Sequence, residues 1–207
     1  KKSPLPFTTS TLQQDASSKL NFAPQKTMRI AQQLYEGVNI KGQGTVGLIT
    51  YLRTDSTRIS VEADAAAKEY IKEAYGAEFV GEGTVAKKDD KKVQDAHEAI
   101  RPTYMTNSPA SIKDELSRDQ FRLYQLIWNR FMASRMAPAK YENTSVKIAA
   151  GDYRFNASAS KIAFDGFLSV YNINNEKSEG NLMLKSIDEN TKLTLNELEP
   201  KQHFTQP

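Results

Sequence analysis

The sequence contains no cysteine and only two histidines, His97 and His203, among its 207 residues. The absence of cysteine excludes disulfide bonds and Cys-ligated zinc within these residues, and it fits a reducing compartment. Two histidines are too few for a His-rich metal site. No apolar run approaches the roughly 20 residues that span a bilayer, and no secretory signal segment is present. We therefore expect a soluble protein without a membrane partner, and no metal or cofactor bound by this chain alone.

Charge is distributed unevenly, although the net charge is only +3. Residues 1–60 carry 8 Lys and Arg against 3 Asp and Glu, and residues 117–140 carry 5 against 1. Acidic residues outnumber basic ones in 61–116 and 141–207. The two basic segments could meet as a surface that faces phosphates, or they could belong to an ordinary mixed surface. Charge alone does not decide between these interpretations.

Four segments have the apolar periodicity and capping residues of helices, at about 10–20, 25–36, 61–75 and 118–136. The last follows Ser117, with Gln120 at the capping-box position. Its aromatic residues form an apolar stripe and its arginines lie off that stripe, which predicts a core helix with a basic outer face. The first two helices, joined by a tight turn, resemble a helix-turn-helix unit, a pattern that is often only packing.

The pattern of apolar and polar residues changes after Pro138. Residues 144–150 and 153–159 alternate with period two on either side of Gly151-Asp152, which is typical of a β-hairpin. Residues 192–198 have the pattern of a further strand.

These patterns predict an α+β fold with two parts. A mainly helical, helix-turn-helix-like domain covers 4–138, and a β-rich partial domain covers 139–207. The glycine-containing stretch 38–47 reads as a loop, and it lacks the Gly-Lys-Ser/Thr ending of a phosphate-binding P-loop.

The run from Leu48 to Ser56 contains a candidate nucleophile, Tyr51, for attack on a DNA phosphodiester. A free phenol, with a pKa of about 10, is a weak nucleophile at neutral pH. A nearby cation would favour the phenolate and neutralise charge on the attacked phosphate. Arg53 lies two residues on, and in an extended segment it would share the face of Tyr51. Further groups that suit phosphate oxygens are Thr54, Ser56 and Arg58.

A second cluster contains His97, Glu98 and Arg101. Histidine supplies an acid/base group near neutral pH. His97 and Arg101 are four residues apart, so in a helix they would share a face and could grip one phosphate. The alternative is a surface histidine with an arginine nearby.

The two clusters together resemble the signature motifs of type IA DNA topoisomerases, bacterial DNA topoisomerase I in particular. Leu48-Ile-Thr-Tyr-Leu-Arg-Thr-Asp-Ser56 is similar to the active-site motif, and Ala96-His-Glu-Ala-Ile-Arg-Pro-Thr103 is similar to a second motif. The resemblance covers nearly the whole chain and is thinnest in 76–94 and 172–190. Its other blocks are Pro6 to Gln14, Lys26 to Glu36, Leu123 to Trp128 and Pro200 to Phe204.

The resemblance implies roles for individual residues. Tyr51 would attack single-stranded or underwound DNA and become linked to a 5′ phosphate, and a second strand would pass before the 3′ hydroxyl reseals the break without ATP. Arg53 would position Tyr51 and stabilise the phosphate. His97 would contact the scissile region with support from Arg101, and Glu98 would be structural.

The resemblance also implies what this chain does not contain. Family members hold Mg²⁺ in an acidic domain N-terminal to this stretch, and this chain has no Asp-x-Asp-x-Glu cluster. The chain begins with Lys1 and not Met, so we expect an internal piece of a monomeric, cytoplasmic, nucleoid-associated bacterial enzyme that is inactive without its remaining domains. Residues 4–138 would be a CAP-like movable gate, and 139–207 part of the arch that hinges it.

Two other functions compete with this one. The chain could be a non-catalytic helix-turn-helix DNA-binding module. A tyrosine recombinase or a nicking relaxase is a weaker alternative, because those families place His and Arg differently around their tyrosine.

Overall fold

A computed structural model describes residues 1–83, 97–171 and 191–205. These ranges contain helices and small antiparallel sheets, which confirms the predicted α+β class. Contacts divide the chain into two compact units, Lys1–Glu142 with Ile162–Lys177 and Asn143–Lys161 with Ser178–Pro207. The functional division into 4–138 and 139–207 stays a prediction.

The four predicted helices are present, with bounds close to those expected. They are α1 (Thr9–Leu20), α2 (Pro24–Glu36), α3 (Val61–Tyr75) and α4 (Arg118–Arg135). Helix α1 begins one residue earlier than predicted because Thr8 caps it in a capping box. The predicted cap of α4 at Ser117 with Gln120 is confirmed, and Ser60 caps α3.

Helix α4 forms the centre of the first unit and packs against α1, α2 and α3. Its fully buried side chains include Leu123, Tyr124, Ile127 and Phe131. Burial raises the pKa of the Tyr124 hydroxyl, which donates a hydrogen bond to the Asn107 carbonyl at 2.7 Å. A buried hydroxyl without such a partner would destabilise the fold. In the part of the chain that the structure describes, no helix is long and apolar enough to cross a membrane.

The expected basic outer face of α4 is wrong in part, because neighbouring helices surround it. Arg135 is buried and pairs with Asp64 of α3 at 2.9 Å. Arg130 pairs with Asp15 of α1 at 3.5 Å. Arg122 donates to the Leu20 carbonyl at 3.2 Å. These three arginines join helices to each other and do not form a surface that faces phosphates.

Residues 38–47, predicted as a loop, contain a small antiparallel hairpin. Strands β1 (Val38–Ile40) and β2 (Gly44–Val46) pair with Val38 opposite Val46 and Ile40 opposite Gly44. The turn between them uses the positive φ of Gly42, a conformation that glycine adopts without steric cost. Each strand has only three residues, so the alternation of Val38-Asn39-Ile40 is too short to predict a strand.

The predicted hairpin about Gly151-Asp152 is confirmed and is longer than expected. It consists of β3 (Lys140–Ala150) and β4 (Tyr153–Phe164), which form a two-stranded sheet. The strand predicted at 192–198 is wrong, since residues 191–205 are described without regular secondary structure. A strand needs a hydrogen-bonded neighbour, which alternation in the sequence does not supply.

Candidate active site

Tyr51 follows a short stretch of paired backbone that joins two distant parts of the chain. Ile49 and Pro102 form an antiparallel bridge. The Thr50 N–H donates to the Arg101 carbonyl at 2.9 Å, and the Thr103 N–H donates to the Leu48 carbonyl at 3.1 Å. The two sequence motifs therefore lie side by side.

The Thr50 side chain strengthens this pairing. Its hydroxyl donates to the Ala99 carbonyl at 2.7 Å and accepts the Arg101 N–H at 3.0 Å. One hydroxyl thus satisfies two backbone groups of the facing segment, which fixes the register of Tyr51 against the residues before Arg101.

Beyond Thr50, exposed and buried side chains alternate. Tyr51, Arg53 and Asp55 are exposed, whereas Leu52, Thr54 and Ser56 are buried. Tyr51 and Arg53 are thus both exposed, but the chain bends at residues 52 and 53, and their sharing of one face stays a prediction. The buried positions attach the segment to the core and the exposed positions present functional groups to solvent.

Tyr51 lies between two aromatic rings while 41% of its surface stays accessible. The His97 ring centroid is 5.5 Å away with the planes tilted by 30°. The Tyr35 ring, from the last turn of α2, is also 5.5 Å away, in an edge-to-face arrangement. The phenol therefore has two flanking rings and an open side, in the range of separations where aromatic pairs attract.

Arg53 and Arg58 are exposed, and their side chains make no hydrogen bond or ion pair with any residue that the structure describes. A guanidinium that the protein does not use retains all its donors for an external anion. Both residues are therefore available for the phosphate contacts predicted from the sequence, which stay predictions.

Thr54 and Ser56 lie differently from what phosphate binding requires. They are only 7% and 5% exposed. The Thr54 hydroxyl accepts the Ser56 N–H at 3.0 Å, and the Ser56 hydroxyl accepts the Arg58 N–H at 3.1 Å. In this conformation both hydroxyls stabilise the backbone turn, so a phosphate contact would require the segment to rearrange.

Arg101 is already engaged by the protein. Its Nε and Nη2 donate to Glu98 at 2.8 and 2.6 Å, and Nη1 donates to the Pro102 carbonyl at 3.0 Å. Residues 97–103 are not helical, because the bridge to residues 48–50 imposes an extended path. The condition under which His97 and Arg101 would share one face is therefore not met. His97 reaches Tyr51, whereas Arg101 is held by Glu98.

Tyr35 lies in α2, and no pattern described in the sequence connects it with Tyr51. The signal that could have found it is Gly47, where a Cβ would lie 2.8 Å from the Tyr35 carbonyl oxygen. The Leu48 N–H donates to the Leu34 carbonyl at 2.8 Å. Only glycine permits this close approach, which brings the end of α2 against the start of the Tyr51 segment.

Within the described ranges, no group of three or more His, Asp and Glu side chains converges to hold a metal ion. The charged residues nearest to Tyr51 in sequence, Arg53 and Asp55, are single exposed side chains. These residues do not fit a magnesium site.

Comparison with known proteins agrees with the motifs. A family model described as DNA topoisomerase matches residues 1–207. The chain belongs to the DNA topoisomerase family. Full-length topoisomerase I from Thermotoga maritima is a similar solved structure, with 44% sequence identity and a TM-score of 0.75 over 90% of this chain. The match covers 30% of the T. maritima chain, so the present sequence spans about a third of that enzyme's length. The predicted resemblance to bacterial type IA topoisomerases is thereby confirmed.

Proposed function

We propose that this chain provides the nucleophile with which a type IA topoisomerase transiently cleaves one DNA strand. The observation that carries the proposal is the placement of Tyr51. It is accessible and flanked by His97, and Arg53, two residues on, is also exposed with a guanidinium that the described residues do not use. Membership in the DNA topoisomerase family supports DNA cleavage as the reaction of this arrangement.

The proposed reaction is a reversible exchange of one phosphodiester for another. The Tyr51 oxygen attacks a backbone phosphorus of single-stranded or underwound DNA and loses its proton. A P–O bond to Tyr51 forms, the bond to the 3′ oxygen breaks, and the departing 3′ hydroxyl takes up a proton. After strand passage the 3′ hydroxyl attacks the phosphotyrosine and reverses each change. Because the number of diester bonds is unchanged, the cycle relaxes negative supercoils without ATP.

Arg53 serves this reaction by stabilising the negative charge that develops on the phosphate. His97 contacts the scissile region and limits the positions open to the Tyr51 ring. Arg58 binds backbone phosphate. Arg101, bound to Glu98, acts mainly by keeping the His97 segment in place.

We assign the magnesium ion and the acid/base partner of Tyr51 to parts of the enzyme outside this chain, since the described residues offer no ligand cluster. By the whole enzyme we mean the protein whose sequence includes these 207 residues. We propose that the chain alone is a monomer that binds DNA without efficient cleavage. Residues 4–138 would be the gate and residues 139–207 part of the arch. Relaxation of plasmid by the isolated chain would contradict this.

The decisive experiment replaces Tyr51 by Phe in the whole enzyme. Tyr51→Phe removes the attacking oxygen and keeps the ring between its neighbours, so we expect complete loss of oligonucleotide cleavage with unchanged DNA affinity. Tyr75→Phe, at a tyrosine on α3 of similar exposure, is the matched control and should cleave normally. Cleavage that survives Tyr51→Phe would show that another residue is the nucleophile.

A non-catalytic DNA-binding module is the second candidate, because α1 and α2 are joined by only three residues, as in a helix-turn-helix. This alternative predicts that the whole enzyme binds DNA and yields no covalent protein–DNA adduct. Trapping with denaturant during incubation with labelled oligonucleotide distinguishes the two.

A further inference from the structure

The Tyr35 ring contacts Tyr51 but has no role in the reaction proposed above. It meets the Tyr51 ring edge-to-face at 5.5 Å, the same centroid separation as that of His97. His97 belongs to a recognisable motif, whereas Tyr35 comes from the end of α2. Two rings from different segments therefore restrict one phenol.

The position of Tyr35 is fixed by backbone and not by its own hydroxyl. The Leu48 N–H holds the Leu34 carbonyl at 2.8 Å, and Gly47 lies directly against the Tyr35 carbonyl. The Tyr35 hydroxyl makes no hydrogen bond with any described residue. The ring itself, rather than a polar group, makes the contact to Tyr51.

A tyrosine exposed on one face would otherwise sample several rotamers, most of which direct the hydroxyl away from an attacked phosphorus. Restricting the ring in advance reduces the ordering that the reaction must achieve at each turnover. A ring contact of this kind contributes modestly, which sets the size of the effect to be sought.

We propose that Tyr35 is a positioning residue that, with His97, holds the Tyr51 phenol in its attacking orientation. This inference rests on the proposed nucleophilic role of Tyr51. It assigns to Tyr35 an effect on the cleavage step and none on DNA affinity.

The test compares Tyr35→Leu, Tyr35→Phe and Tyr75→Leu in the whole enzyme. Tyr75 lies at the end of α3 with 37% exposure, against 39% for Tyr35, and also contacts an aromatic ring, that of Phe79. Two constants are measured with a single-stranded oligonucleotide: the first-order cleavage rate at saturating enzyme, and the Kd. Melting temperature monitors folding.

We expect Tyr35→Leu to lower the cleavage rate about 3- to 10-fold with an unchanged Kd. Tyr35→Phe retains the ring contact and should cleave as the unchanged enzyme does, as should Tyr75→Leu. An unchanged rate in Tyr35→Leu overturns the inference. A weakened Kd with an unchanged rate would indicate that Tyr35 stacks on a DNA base, and it also overturns the inference. The inference is overturned as well if Tyr35→Phe lowers the cleavage rate as much as Tyr35→Leu does.

A measurement without DNA separates this inference from the proposed function. With 3-fluorotyrosine at position 51, Tyr35→Leu should shift the fluorine resonance because the neighbouring ring current is lost, and Tyr35→Phe should shift it little. An unmoved resonance in Tyr35→Leu overturns the contact itself. Cleavage that survives Tyr51→Phe overturns the proposed function, whatever the Tyr35 variants do.

Discussion

Residues 51–58 and 97–101 lie against each other but use their arginines in opposite ways. The Ala99 N–H donates to the Arg58 carbonyl at 2.9 Å, so the two segments share a backbone contact. Arg53 is exposed without a partner in the described chain, whereas Arg101 has bound a carboxylate and a carbonyl. Arg53 can approach a phosphate at no cost in protein contacts. Arg101 would first have to leave Glu98.

An arginine in a signature motif can thus be bound by the protein itself. In the function proposed above, the first segment presents reactive groups and Arg101 of the second holds its own segment in place. Replacing one arginine from each segment should therefore affect different quantities, catalysis in one case and folding in the other.

The largest effect is expected for Arg53→Ala in the whole enzyme. Losing the cation beside the attacked phosphate should lower the cleavage rate by about 100-fold, the usual result of removing one donor that stabilises a transition state. Melting temperature should not change, because no described residue relies on this side chain. Single-turnover cleavage of an oligonucleotide measures the first quantity and calorimetry the second. A large fall in melting temperature would show that Arg53 stabilises the fold, as Arg101 is expected to do.

Arg101→Ala should act mainly on stability. It leaves the partly buried Glu98 carboxylate without its cation, and the free energy of unfolding should fall by about 1–3 kcal/mol. Urea denaturation of Arg101→Ala, Glu98→Ala and the double variant measures the coupling between the two residues. Additive losses would show that the ion pair does not stabilise the fold, and a cleavage defect as large as that of Arg53→Ala would place Arg101 on the phosphate.

The smallest effect is expected for Ser56→Ala, which compares a buried hydroxyl of the first segment with the exposed side chains beside it. Its buried hydroxyl accepts the Arg58 N–H, so the free energy of unfolding should fall by about 0.5–1.5 kcal/mol while DNA affinity stays the same. Asp55→Asn, at the exposed position before it, is the matched control for stability. A weaker Kd for DNA in Ser56→Ala without loss of stability would restore the phosphate contact first expected from the sequence.

Features that depend on neighbours in sequence could be predicted. Ser117 with Gln120 marked the start of α4, and Gly151-Asp152 marked the turn of the long hairpin, because caps and turns involve residues within four positions of each other. The exposure of both Tyr51 and Arg53, two residues apart, agrees with the same kind of local rule.

Features that depend on distant partners could not be predicted. Among the described residues no segment pairs with the strand expected at 192–198, and β1 and β2 have three residues each, too few for alternation to predict them. The four-residue spacing of His97 and Arg101 would place them on one face only in a helix, and the antiparallel bridge between Ile49 and Pro102 gives this stretch a non-helical path. Tyr35 reaches Tyr51 only through the close approach at Gly47, which is a tertiary contact.

The hydroxyl of Thr50 also has a consequence for the order of folding. It bonds to Ala99 and Arg101, which lie 49 and 51 positions further along the chain. Closing so long a loop costs conformational entropy before any contact compensates for it. Local helices can form earlier, whereas contacts across a long loop form slowly. Tyr51 therefore acquires His97 only after the loop has closed, and a nascent or partly unfolded molecule carries the tyrosine without the neighbour that orients it. The nucleophile proposed above is thus oriented by His97 only in the folded chain.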